Sequence, residues 1–88
     1  MINTHKNTTE PTQHRMPFDD LMANLFVLIT HYSLKQDDSI LSAIIGHLDA
    51  LCEHDEIEFY PNQLLVLTKM RRLWRTRLFN IEINETHH

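Results

Sequence analysis

Large apolar residues recur every three or four positions through two consecutive stretches of this chain, and that spacing constrains the fold more than any other feature. The first stretch contains Phe18, Leu21, Met22, Leu25, Phe26, Ile29 and Tyr32. The second contains Ile40, Leu41, Ile44, Ile45, Leu48, Leu51 and Cys52. Such a repeat places the side chains on one face of an α-helix. Each stretch therefore predicts an amphipathic helix.

Prolines and aspartates indicate where these two helices begin. Pro17 suits the first helical position because it lacks an N–H, and the following Asp19 and Asp20 are favoured near the positive end of a helix dipole. Asp37 or Asp38 is suited to cap the second helix. Because the connector is short, we expect the two helices to form an antiparallel hairpin.

The packing of other elements on these helices is suggested by two further details. Val27 and Leu28 widen the apolar face of the first helix, so we expect much of that helix to be covered. Gly46, the chain's one glycine, falls inside the second helix, where it costs about 1 kcal/mol relative to alanine. We interpret Gly46, with Ala43 and Ala50 nearby, as a hint that another backbone packs closely there.

A third helix is predicted from about residue 61 to residue 78, with Pro61 at its first position. On a helical wheel its apolar stripe consists of Leu67, Met70, Trp74, Leu78 and Ile81. Most of the arginines border this stripe, but Arg77 falls within it. We expect either that the helix ends near Arg77 or that Arg77 lies at an interface and has an acidic partner.

The remaining segments complete an all-α fold, a small three-helix domain made of an antiparallel helical hairpin and a third amphipathic helix. The ranges 56–60 and 79–83 alternate apolar and polar residues, which favours either short extended segments or irregular connections. The polar segment 1–15 is predicted to be a disordered tail. We assign residues 16–83 to a single helical domain and residues 84–88 to a flexible C-terminal tail.

Charge is segregated along the chain. Residues 16–58 contain nine acidic residues and one basic residue, whereas residues 59–79 contain five basic residues and no acidic one. Within one chain, this pattern lets the third helix dock on the first two. Between chains, it favours association of the basic helix with the acidic hairpin. Because so small a core is marginal alone, we expect a homodimer.

The third helix is interpreted as the contact surface of a non-catalytic protein–protein interaction or regulatory module, whose protein partner the sequence does not identify. The predicted partner-binding residues are Lys69, Arg71, Arg72, Trp74, Arg75 and Arg77. Trp74 would be the apolar anchor, and the basic residues would orient the partner. An equally open interpretation makes Trp74 a core residue and the arginines a solvated face. The alternative function is a small nucleic-acid-binding regulator whose arginines in residues 71–77 contact phosphates.

The sequence contains no pattern typical of catalysis, metal binding or cofactor binding. His47, Cys52 and His54 lack the paired spacing of structural zinc ligands, and Cys52 falls on an apolar stripe rather than beside a base. A chain with one glycine cannot form a glycine-rich phosphate loop. We therefore expect no enzymatic activity, no metal and no cofactor. The single cysteine, together with the absence of a long apolar run and of a secretory leader, predicts a cytoplasmic protein that does not enter a membrane.

Overall fold

The computed structural model describes the backbone of residues 16–86 and the side chains of residues 16–83. Helix α1 spans Phe18–Leu34, helix α2 spans Asp38–Cys52, a 3-10 helix spans Asp55–Phe59 and helix α3 spans Pro61–Thr86. No strand occurs among residues 16–86, so the predicted all-α, three-helix fold is confirmed. The predicted N-terminal tail, residues 1–15, and the last two residues of the chain lie outside the described residues.

Helices α2 and α3 begin where the sequence predicted, and α1 begins one residue later, at Phe18. Pro17 immediately precedes α1, and Pro61 is the first residue of α3. Asp37 caps α2: its Oδ1 accepts hydrogen bonds from the Ser39 hydroxyl at 2.7 Å and from the Ser39 N–H at 2.8 Å. These two bonds, the hydroxyl first, hold the pKa of Asp37 below its ordinary value.

Two segments that the sequence suggested were extended are helical instead. In the 3-10 helix, the N–H of Ile57 bonds the carbonyl of His54 and the N–H of Tyr60 bonds the carbonyl of Ile57, so the backbone is satisfied locally and needs no partner strand. Residues 79–83 continue α3, which runs to Thr86 and not to about residue 78. Alternation over five residues is too short a pattern to distinguish these structures from a strand.

Helix α2 lies at the centre of the fold, because it packs against both α1 and α3. The buried core consists of Leu41, Ile44, Ile45, Leu48 and Leu51 from α2, Phe18, Leu21, Leu25 and Tyr32 from α1, and Leu67 from α3. Four of the α2 side chains are completely inaccessible to solvent. The hairpin predicted from the short connector therefore forms, and α3 covers the other side of α2.

Helices α1 and α3 run parallel, and ring pairs join them at two levels. Near the helix N-termini the rings of Phe18 and Tyr60 stack with their centroids 4.8 Å apart. Fourteen residues after Phe18 and after Tyr60, the rings of Tyr32 and Trp74 meet edge to face with their centroids 5.3 Å apart. Since both pairs have the same sequence separation, the two helices keep one register between these levels.

His54 is the buried polar side chain at the corner between α2 and the 3-10 helix. Its Nε2 lies 3.1 Å from the carbonyl oxygen of Met16, and its Nδ1 accepts a hydrogen bond of 3.1 Å from the N–H of Glu56. A neutral ring that carries its proton on Nε2 satisfies both bonds. His54 thereby ties the chain entering α1 to the chain leaving α2, with the Phe18 ring against its edge.

We expect Gly46→Ala to raise the free energy of unfolding by about 1 kcal/mol, because alanine is the better helix former. A Cβ at Gly46 would meet nothing within 4 Å, so no part of the described chain packs on this glycine, contrary to our expectation. Urea denaturation followed by circular dichroism measures the change. Ala50→Gly, at another exposed position of α2, is the matched control and should cost a similar amount. A loss of stability in Gly46→Ala would contradict the prediction.

Candidate protein-interaction surface

The arginine stripe of α3 contacts α2 of the same chain. Nη2 of Arg75 lies 2.7 Å and 2.8 Å from the two carboxylate oxygens of Asp49, and Nη1 of Arg71 lies 3.5 Å from one of them. The Asp49 side chain is 33% exposed, so solvent screens these pairs and each contributes about 0.2–1 kcal/mol. These contacts orient α3 on α2. Charge segregation along the sequence therefore serves docking within the chain, one of the two roles that the sequence allowed.

Arg77 lies at the seam between α3 and the end of α1. Its Nε donates a hydrogen bond of 2.7 Å to the hydroxyl oxygen of the buried Tyr32, and its Nη2 donates one of 3.1 Å to Oε1 of Gln36. The guanidinium carbon is 5.4 Å from the centroid of the Tyr32 ring. The acidic partner that we expected for Arg77 is therefore replaced by two neutral oxygen acceptors, and the helix does not end there.

Trp74 lies half-buried against Tyr32, among the apolar side chains that surround the core. Lys69 and Arg72 project from α3 into solvent, and their side chains form no ion pair or hydrogen bond with the rest of the described chain. Of the six residues predicted to bind a partner, four therefore contact α1 or α2 of their own chain: Arg71, Trp74, Arg75 and Arg77.

The bond between Arg77 and Tyr32 should be measurable as a coupling free energy. In a double-mutant cycle of Arg77→Ala and Tyr32→Phe, we expect about 1 kcal/mol of coupling in urea denaturation, because a charged donor serves a buried hydroxyl. The control cycle combines Arg72→Ala with Tyr32→Phe. The Arg72 side chain lies on the same helix as Arg77 and projects into solvent. That cycle should be additive within about 0.5 kcal/mol. Additivity in both cycles would contradict the assignment.

The outer face of α1, on the side away from α2, is exposed to solvent and carries three large apolar side chains. We define the α1 outer face by its exposed residues Asp19, Asp20, Ala23, Asn24, Phe26, Val27, Thr30, His31 and Leu34. The large apolar side chains Phe26, Val27 and Leu34 are 58%, 52% and 80% exposed. The expectation that much of α1, including Val27, would be covered is thus wrong at Val27 within a single chain, because α2 and α3 contact only the other sides of the helix.

No aspartate, glutamate, lysine or arginine lies between Leu21 and Leu34, and His31 is the one basic side chain there, which is unusual for a helix with a solvent-facing side. This scarcity of charge was visible in the sequence and is the signal that could have identified the surface. The apolar stripe drew attention to the buried side of α1 instead. Periodicity alone cannot assign the opposite side to solvent or to a partner.

A groove between α1 and α3 continues this surface. The groove has a volume of about 340 Å³ and is lined by Met22, Leu25, Phe26, Asn62, Gln63, Val66, Leu67 and Met70. Its polar lining consists of two side-chain amides, and no charged group borders it. Two exposed apolar residues of α3 are on the same side of that helix, Val66 at 57% and Leu73 at 67% exposure. Since Phe26 belongs to both features, the α1 outer face and the groove form one apolar surface.

Apart from this surface, the described residues contain no arrangement that indicates a catalytic or metal-binding site. No group of three or more histidine, cysteine, aspartate or glutamate side chains among them could hold a metal ion. Cys52 is a half-buried free thiol. Within the described part of the chain, every helix is too short or too polar to cross a membrane.

Comparisons with protein-family models, with curated proteins and with solved structures found no match to this chain. Its function therefore has to be argued from its own surfaces.

Proposed function

We propose that this chain is a non-catalytic helical interaction module that self-associates, and that its contact surface comprises the α1 outer face and the groove. The observation that carries the proposal is the exposure of Phe26, Val27 and Leu34 on a helix face with no aspartate, glutamate, lysine or arginine between Leu21 and Leu34. Single exposed apolar residues are ordinary, but contiguous apolar surface marks a binding site in a soluble domain.

The size of this surface indicates how strong the association should be. Fully burying a large apolar side chain contributes about 1.5–3 kcal/mol, and Phe26 and Val27 have about half of that still to gain. Six such side chains in a symmetric pair supply roughly 6–11 kcal/mol, against an association cost of about 4–15 kcal/mol. The α1 outer face by itself therefore supports a weak dimer. Contact with the groove edge at Val66 and Leu73 would strengthen it.

In this proposal the basic residues of α3 have two separate roles. Arg71, Arg75 and Arg77 hold α3 against the hairpin and so maintain the groove. Lys69 and Arg72 remain available to orient a partner by charge. Nucleic-acid binding stays an alternative prediction, and the pairing of Asp49 with two arginines reduces the charge that they could offer to phosphates.

The proposal is tested by sedimentation velocity at several protein concentrations. We expect the unmodified chain to dimerise, and Val27→Asp to shift it to the monomer, because an unpaired carboxylate in an apolar interface costs several kcal/mol. Ser42→Asp is the matched control, since Ser42 is exposed on α2 and outside the proposed surface. That variant should dimerise like the unmodified chain.

A monomer at all concentrations, or equal dissociation in both aspartate variants, would argue against self-association through this surface. Fluorescence anisotropy with a labelled DNA duplex at low salt tests the alternative on the same samples. We expect no binding. Affinity that falls steeply with salt and with Arg72→Ala would favour the nucleic-acid regulator.

A further inference from the structure

The α1 outer face has a charge pattern that specifies both its partner and the partner's orientation. Resting on the self-association proposed above, we infer that two copies of this chain pair through their α1 outer faces in antiparallel orientation. Val27 then lies at the two-fold axis, and Asp19 of each copy lies beside Lys35 of the other. The occupant of the surface is a second copy of the chain.

The aspartates and the lysine of the face are confined to its two ends. Asp19 and Asp20 occupy the first turn of α1, and Lys35 immediately follows its last residue. All three residues are exposed, and none forms an ion pair within the described chain. The acid nearest to Lys35 in sequence is Asp37, whose carboxylate already accepts two hydrogen bonds from Ser39. The face is therefore flanked by two aspartates without an ion pair in the described chain and by Lys35, whose charge helps to lower the pKa of Asp37 but forms no described ion pair with it.

These ends are placed symmetrically about the middle of the helix. Asp19 and Lys35 are each eight residues from Val27. A two-fold interface requires such self-complementarity, because each half of the surface contacts the opposite half of the same surface on the other copy. Antiparallel pairing brings Asp19 of one copy level with Lys35 of the other, twice. Parallel pairing would bring the aspartates together and the lysines together, which is unfavourable.

The line of small and apolar side chains in the middle of the face suits close packing of two helices. Ala23, Val27, Thr30 and Leu34 are three or four residues apart and so form one line along α1. In the antiparallel arrangement, Ala23 of one copy lies at nearly the same height along the helix axis as Thr30 of the other, and both side chains are small. Small residues there let the helix axes approach to the short end of the usual 8–10 Å range. The exposed rings of Phe26 then flank the contact.

Cross-linking between two differently labelled chains tests the orientation. Cys52→Ala removes the natural thiol, and Asp19→Cys and Lys35→Cys are then introduced on separate chains that are mixed and treated with a short bismaleimide. We expect Asp19→Cys to cross-link with Lys35→Cys and neither variant to cross-link with itself. Intact mass spectrometry distinguishes the three possible products. Ser42→Cys, on the outer side of α2, is the control position and should give little product.

Charge reversal provides an independent readout in solution. Lys35→Glu alone, and Asp19→Lys with Asp20→Lys, should each weaken the dimer by roughly tenfold at low salt. The triple variant that carries all three changes should regain most of the affinity, because antiparallel pairing again brings unlike charges together. Circular dichroism checks that each variant remains helical.

The outcomes separate this inference from the function on which it rests. Cross-linking of Asp19→Cys to itself, or no recovery in the triple variant, would overturn the antiparallel arrangement while leaving a dimer intact. A dimer that cross-links only through Ser42→Cys would overturn it as well. If the unmodified chain never dimerises, the proposed self-association itself fails, and sedimentation detects that before any cross-linker is added.

Discussion

The burial of one helix on two sides is the interaction on which the rest of the structure depends. α2 is 15 residues long, and its buried side chains contact α1 on one side and α3 on the other. Five side chains are buried on α2, four on α1 and one, Leu67, on α3. In a helical domain this small, the described residues leave apolar side chains of the outer helices exposed.

Polar contacts hold α3 in the position that defines the surface. Leu67 is its one fully buried side chain, and the partly buried Met70, Trp74, Leu78 and Ile81 add apolar packing against the core. Asp49 binds Arg71 and Arg75 from α2, and the Tyr32 hydroxyl accepts a bond from Arg77. These contacts fix the rotation of α3 about its axis. The basic block thus contributes to the contact between α3 and the hairpin, beside which the groove lies.

The sequence predicted much of the fold, but it directed attention to the wrong part of the surface. The helix starts near Pro17, Asp37 and Pro61 followed from local chemistry, because a proline or a capping carboxylate acts within one turn. The third helix ran further than expected, since an alternating tail of five residues has no local signal that excludes a helix. The partners of Arg77 could not be predicted, because Tyr32 and Gln36 are more than forty residues away in the chain.

The sequence by itself determined which segments are helical and which side of each helix is apolar, since both follow from residue spacing and from bonds within a few residues. It also showed that no aspartate, glutamate, lysine or arginine lies between Leu21 and Leu34. Only the tertiary structure decided which apolar residues the chain covers and which remain exposed. That choice depends on how three helices of fixed pattern pack together, and here α1 and α3 both pack on α2, which leaves the outer side of α1 exposed.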